Sequence, residues 1–278
     1  MKYFFSVALA FLVNALPLQA ETPVTIHRDL VYGHKMGMAL TMDLIQPNTN
    51  TNGAATLFMM SGGWVSSWIE PEELLESGIA DQAGFPELLE SGFTLLIVRH
   101  GSSPKFLVPD AVKDVREAVR YVKRRAPEFA IDPNRLGVFG GSAGGHLSLM
   151  LGTTAEKDTK IAAVVAYFPP TDLRPYVTSE DFRKSFPALK FAEDKIDSVS
   201  PLKHVTPDDA PTLLLHGNKD ELVPPAHSEQ IHQAFESANV ACDLLIFENA
   251  DHGFGGQDRK QAVAATVAWF RKHLTNQN

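Results

Sequence analysis

The strongest constraint in this chain is a rhythm: short, wholly apolar runs alternate with stretches of helical periodicity, punctuated by glycine and proline. Ala54–Met60, Phe93–Val98, Leu136–Phe139, Ile161–Phe168, Pro211–Leu215 and Asp243–Phe247 read as strands. Between them, Asp110–Arg125 carries Ala111, Val115, Ala118, Val119 and Val122 at helical spacing. His146–Leu151, Pro225–Val240 and Gln261–Leu274 continue the pattern. Strands alternating with helices imply an α/β fold around a largely parallel sheet. Strands with no polar alternation fit a sheet covered on both faces. Val24–Val31 and Met38–Ile45 are joined by a short turn around Gly33 and Gly37, so they are expected to pair antiparallel. The segment 170–209 breaks the rhythm with five prolines, at 170, 175, 187, 201 and 207. It reads as an insertion lying over one edge of the sheet, near the active site.

Composition narrows the class of function. Lys plus Arg is 25 and Asp plus Glu is 33, a net charge of −8. That balance argues against a phosphate-backbone binder, which needs clustered cations, and so against a nucleic-acid partner. A single cysteine, Cys242, excludes a disulfide within the chain and a thiolate zinc cluster. Residues 1–20, MKYFFSVALAFLVNALPLQA, place Lys2 before an apolar run and end on a small residue. This reads as a secretory signal, too short for a comfortable membrane span. Its removal would leave a net charge of −9, one domain over 21–278, and a periplasmic or secreted protein with no stable membrane insertion.

One motif carries chemistry. Residues 135–147 read RLGVFGGSAGGHL, placing G-x-S-x-G between a strand and a helix, the context that gives this weak pattern its meaning. Cβ atoms at 140 and 144 would collide with the neighbouring strand and helix, so glycine is required there. The turn lifts the Ser142 hydroxyl above the sheet, and the Ala143 N–H points where an oxyanion would form. A serine hydroxyl needs an adjacent base. His252, in FENADHGF, follows the last strand. Asp220, in LLLHGNKDELVP, follows the strand before it, with Glu221, Asp251 and Asp172 as rivals. Serine, acid, histidine is the chain order of one triad architecture. In LFMMSGGWVSSW, Gly62 and Gly63 let the backbone approach a substrate oxygen, and Trp64 would wall the substrate pocket. Trp68 is assigned to simple packing. His146 is expected in the core, and His216 is expected to pin the turn that carries Asp220. No H-E-x-x-H, no histidine pair at metal spacing and no P-loop occurs, so neither metal nor cofactor is implied.

With these motifs in order at strand ends, the chain resembles the α/β-hydrolase superfamily over nearly all of residues 21–278. Within it, the sequence is similar to small bacterial carboxylesterases of the hormone-sensitive-lipase type and to acetyl xylan and feruloyl esterases. It also resembles the catalytic domains of prolyl-oligopeptidase-like enzymes. The resemblance implies a central, mostly parallel sheet of eight strands, with Ser142 as nucleophile, Asp220 as acid and His252 as base. It implies a serine esterase acting on short-acyl or polysaccharide-linked esters, acetyl or feruloyl. A peptidase or amidase with the same triad, or a non-catalytic binding module, are the alternatives. Two departures stand out. Met60-Ser61-Gly62-Gly63-Trp64 replaces the His-Gly-Gly-Gly of the lipase-like families, and Arg99-His100-Gly101 replaces their Tyr-Arg pair. His100 falls at the active-site edge of the sheet, where it would contact substrate or make a structural hydrogen bond.

Overall fold

The structure, a computed structural model, describes residues 23–275, so the signal segment read at 1–20 lies outside the described residues. Eight strands form one sheet in the order β1-β2-β4-β3-β5-β6-β7-β8. They are β1 Val24–Lys35, β2 Met38–Pro47, β3 Ala55–Met59, β4 Thr94–Val98, β5 Leu136–Gly141, β6 Ala163–Tyr167, β7 Thr212–Gly217 and β8 Cys242–Phe247. The β1–β2 and β2–β4 pairs are antiparallel, and every other pair is parallel. The β1–β2 turn is Met36-Gly37, both at positive φ. Gly33 lies inside β1 opposite Leu40 rather than in the turn.

Among the described residues, nine α-helices accompany the sheet: α1 Pro71–Leu75, α2 Gly78–Ala83, α3 Phe85–Glu90, α4 Val108–Arg125, α5 Ala143–Thr153, α6 Arg174–Val177, α7 Glu180–Ser185, α8 Ala226–Ser237 and α9 Gly256–Phe270. The two-residue period of a strand sends neighbours to opposite faces. Leu57, Val138, Val164 and Leu214 join Val115, Val119, Leu147 and Phe235 of α4, α5 and α8 in one core. Phe58, Phe139, Val165 and Leu215 join Phe85, Leu88 and Phe270 of α3 and α9 in the other. Every residue of β3, β4, β6 and β7 is buried, which is why their sequences show no polar alternation. Helix α4 starts two residues earlier than its apolar period suggests. Pro109 is tolerated in a first turn, and the Asp110 carboxylate accepts the Leu107 N–H at 3.1 Å.

The 170–209 insertion joins β6 to β7. It does not cover a lateral edge of the sheet, since the edges are β1 and β8. It lies over the carboxyl ends of the central strands, with residues 170–189 lining a cavity at Ser142. Three of its prolines open short helical turns at 174–177, 187–189 and 201–203, where a missing N–H costs nothing. Among the described residues, no helix is long and apolar enough to cross a membrane.

Candidate active site

Strand β5 ends at Gly141, helix α5 begins at Ala143, and Ser142 makes the whole turn between them with φ 53° and ψ −117°. That backbone is strained for a residue with a Cβ and persists because its surroundings over-determine it. The Ser142 N–H donates to the Tyr167 carbonyl at 2.9 Å. The flanking glycines are sterically compelled. A Cβ on Gly140 would lie 2.7 Å from the Gly144 carbonyl carbon, and one on Gly144 would lie 2.4 Å from the Met59 oxygen in β3.

Ser142, His252 and Asp220 come together although the chain separates them widely. Ser142 Oγ lies 2.9 Å from His252 Nε2, and His252 Nδ1 lies 2.6 Å from Asp220 Oδ2. The carboxylate accepts the Nδ1–H, which leaves Nε2 bare to accept the serine proton. Asp220 is buried, and burial alone would raise its pKa. The His216 Nε2–H, 3.4 Å from Oδ2, and hydrogen bonds from His252 and the Val223 N–H outweigh that and hold the carboxyl well below its usual range. Its Oδ1 accepts the Leu222 and Val223 N–H groups at 3.0 and 2.8 Å. His216 is wholly buried. It donates from Nε2 to the Val223 carbonyl and accepts the Ser228 hydroxyl at Nδ1, both at 2.7 Å, which fixes the loop carrying Asp220. The rival acids are elsewhere: Glu221 and Asp251 are exposed, and Asp172 accepts the Arg174 N–H and faces Lys203. The Phe168 ring, at the end of β6, lies 4.6 Å from the His252 ring; nothing in the sequence marks it beyond the apolar run it closes.

The loop after β3 corrects one expectation. Gly62 and Val65 exchange hydrogen bonds, Gly62 N–H to Val65 O at 3.0 Å and Val65 N–H to Gly62 O at 2.9 Å. Gly63 and Trp64, both at positive φ, are the central residues of this two-residue turn. The Gly62 N–H is therefore consumed by the turn and has no proton to offer an oxyanion. The N–H groups of Gly63, Trp64 and Ala143 make no hydrogen bond among the described residues. Ala143 is the first residue of α5, where the N–H has no intrahelical acceptor.

Trp64 and Ser142 line a half-open cavity of about 30 Å³, together with Gly63, Pro170, Tyr176, Phe182, Phe186, Leu189, Leu222 and Val223. Trp64 thus stands where the sequence reading put it. His100 does not. It is buried, with Nδ1 2.9 Å from the Gly101 carbonyl and Nε2 2.8 Å from the Ser61 hydroxyl. Both ring nitrogens are spent on holding the loop before the turn, so the structural hydrogen bond replaces the substrate contact. Arg99 pairs with the buried Asp43, and the Gly101 N–H bonds Asp114 at 3.0 Å, so this segment braces the sheet end. Trp68 is 56% exposed, contrary to the packing expected of it. His146 is in the core as expected, but the ring also bonds Trp64 and Val199, a pairing that no sequence spacing reveals. His227 was not singled out; it accepts from or donates to the Tyr176 hydroxyl at 2.8 Å and so holds one wall of the cavity. A second cavity of about 120 Å³ is lined by Gly141, Phe168, Phe254, Ile79, Gln82 and Arg259. Among the described residues, no group of three or more His, Cys, Asp or Glu could hold a metal ion.

The BD-FAE family model matches residues 42–235, which span the sheet from β2 to α8 and include Ser142 and Asp220. The chain belongs to the BD-FAE family. Its curated relatives include the probable carboxylic ester hydrolase LipM of Mycobacterium tuberculosis, 28% identical over 80% of this chain and 55% of that protein. An acetylxylan esterase of Xylanibacter ruminicola is 28% identical over 58% of this chain and 32% of that protein. The ethyl acetate hydrolase of Pseudomonas putida is 29% identical over 92% of this chain and 85% of that protein. The chain spans about half the length of LipM and of the esterase LipQ. Among solved structures, a truncated carbohydrate esterase from gut microbiota superposes with a TM-score of 0.72 at 22% identity, covering 90% of this chain and 98% of that one. Esterase 2 of Thermogutta terrifontis with propionate bound gives 0.70 at 22% identity, covering 92% and 96%. At those identities the likeness establishes the shared α/β-hydrolase fold.

Proposed function

We propose that this protein is an exported serine esterase that removes short acyl groups, acetyl above all, from carboxylic esters. Ser142 Oγ attacks the ester carbonyl while His252 Nε2 takes its proton. The Asp220 carboxylate keeps the imidazole in the required tautomer and stabilises the imidazolium. The tetrahedral oxyanion is met by the Ala143 N–H and by the N–H groups of the Gly63-Trp64 turn. His252 returns the proton to the leaving alcohol, then activates a water that releases the acid from Ser142.

The observation that carries the acyl assignment is the cavity at Ser142. At about 30 Å³ it has room for roughly two water-sized groups. An acetyl group matches that space; a feruloyl group, with its ring and propenoyl arm, would extend out through the open side of the cavity. The lining is almost wholly apolar, which suits a methyl group. The names of the acetylxylan esterase and ethyl acetate hydrolase relatives support the same acyl group. The reading of residues 1–20 as a secretory signal supports export and hence an extracellular ester, such as an acetyl group on a polysaccharide.

The test is hydrolysis of p-nitrophenyl acetate, butyrate and octanoate by the intact protein and by Ser142→Ala. We expect kcat/KM to be highest for acetate and to vanish in the variant. A maximum at octanoate would overturn the short-acyl reading. Activity that survives Ser142→Ala would overturn the mechanism, and turnover of peptide amides in preference to esters would replace it with a peptidase.

A further inference from the structure

The turn that offers N–H groups to the oxyanion has an unusual residue in it. A two-residue turn with both central residues at positive φ favours glycine, asparagine and aspartate. Here the second central residue is Trp64, at φ 58°, and a Cβ in that region is sterically disfavoured. Something must hold the tryptophan there. Its carbonyl accepts the Ser103 N–H at 3.2 Å, which secures the main chain. Its indole is 5% exposed, and the indole N–H donates to His146 Nδ1 at 3.2 Å, with the two rings meeting edge to face at 5.5 Å.

His146 lies on α5, one turn beyond Ser142, and is completely buried. Its Nε2 sits 2.7 Å from the Val199 carbonyl in the 170–209 insertion. A carbonyl only accepts, so Nε2 carries the proton and Nδ1 is the bare acceptor that the Trp64 indole needs. One neutral ring thus ties together three parts of the site that the chain supplies separately: the helix that follows the nucleophile, the turn after β3, and the insertion that walls the cavity. A donor and an acceptor, the indole N–H and the Val199 carbonyl, could not both be served by Leu or Phe, and a protonated imidazole would have no acceptor for the indole.

We propose that His146 is a positioning residue for the oxyanion site, holding Trp64 and with it the Gly63 and Trp64 N–H groups in register with Ser142. It touches no reacting atom. The inference rests on the esterase reading above and adds a residue to which that reading gives no role. Its consequence is specific. Misplacing the turn weakens binding of the tetrahedral state more than binding of the planar ester, because only the former draws on the turn's N–H groups.

The experiment compares His146→Phe, which keeps a ring without donor or acceptor, with His146→Gln, whose amide offers one of each. Readings are kcat and KM for p-nitrophenyl acetate and the inhibition constant of ethylboronic acid. Ser142 Oγ adds to the trigonal boron, its proton passes to His252, and one boron-bound oxygen occupies the oxyanion position. For His146→Phe we expect kcat to fall about ten- to a hundredfold, in the range that misplacement of catalytic groups produces, with KM within about threefold. Boronate affinity should weaken by a similar factor, and His146→Gln should recover most of both. Unchanged kcat in His146→Phe overturns the proposal. So does a fall in kcat with boronate affinity intact, or a Gln variant no better than Phe. If His146→Phe does not fold, Trp64→Phe removes the same hydrogen bond from the other side. Its boronate affinity then decides, a loss supporting the proposal and an unchanged value overturning it. Ser142→Ala separates the two levels: residual activity there defeats the esterase reading itself, whereas a wild-type response of the His146 and Trp64 variants defeats only the positioning role.

Discussion

Phe186 is the side chain whose removal most directly tests the proposed acyl role of the cavity at Ser142. Its ring faces the Gly63 turn so closely that a Cβ on Gly63 would lie 2.7 Å from Phe186 Cδ1. It also stacks on Phe182, with centroids 6.4 Å apart at 20°. Phe186→Ala opens the cavity beside the Gly63 turn. Butyrate carries two methylenes more than acetate, and each buried methylene is worth about 0.8 kcal/mol. If both are accommodated, the gain is about 1.6 kcal/mol, or roughly fifteenfold in kcat/KM. The assay is the ratio of kcat/KM for p-nitrophenyl butyrate to that for acetate. We expect the ratio to lie below one in the native protein and to rise about fifteenfold in Phe186→Ala by this estimate. Because Phe186 is only partly buried, the stability cost should stay below the roughly 3–5 kcal/mol typical of a fully buried Phe→Ala. An unchanged ratio in a folded Phe186→Ala would refute the reasoning, since it would mean that this ring does not limit acyl length.

Asp220→Asn should lower kcat by about 10⁴-fold with KM little changed, because the amide presents an N–H toward the imidazole and favours the wrong tautomer; a variant within tenfold of native kcat would contradict the relay. Burial pushes His146 and His227 down to about 4. The unfolded chain, with histidines near 6.5, binds more protons across that interval, so folding stability is complete above about 6.5 and falls as pH drops toward 4. Urea denaturation at pH 7 and pH 5 should show a loss on the order of 2 kcal/mol per histidine, and a flat profile would refute the buried neutral rings. Gly144→Ala forces a Cβ within 2.4 Å of the Met59 oxygen. It should cost at least about 2 kcal/mol in the same assay, and native-like stability would show that β3 and α5 are not so tightly apposed.

Much of the site was legible because its parts are each local. The glycines around Ser142 are dictated by steric demands within a few residues. Asp220 and His252 are marked by their place just after apolar runs, and the parallel sheet by the lack of alternation in those runs. The expectations that failed concern how separate segments meet. Gly62 was a sound candidate donor by composition, but its N–H is spent on Val65, a pairing that depends on the turn's dihedral angles. His100 falls at a strand end as expected, yet both its nitrogens are taken by Gly101 and Ser61. Trp68 looks like a core residue by chemistry and is mostly exposed, because the loop carrying it runs outside the sheet.

The sequence by itself therefore determined the alternation of strands and helices, the strained turn at Ser142 and the chain order of Ser142, Asp220 and His252 at strand ends, since each follows from periodicity or from sterics along a short stretch of chain. Only the tertiary structure decided which N–H groups remain free at the oxyanion position, how large the cavity at Ser142 is, and that His146 joins three distant segments. Those properties arise from distances between residues far apart in the chain, set by how two cores pack on opposite faces of one sheet, and no local pattern encodes them.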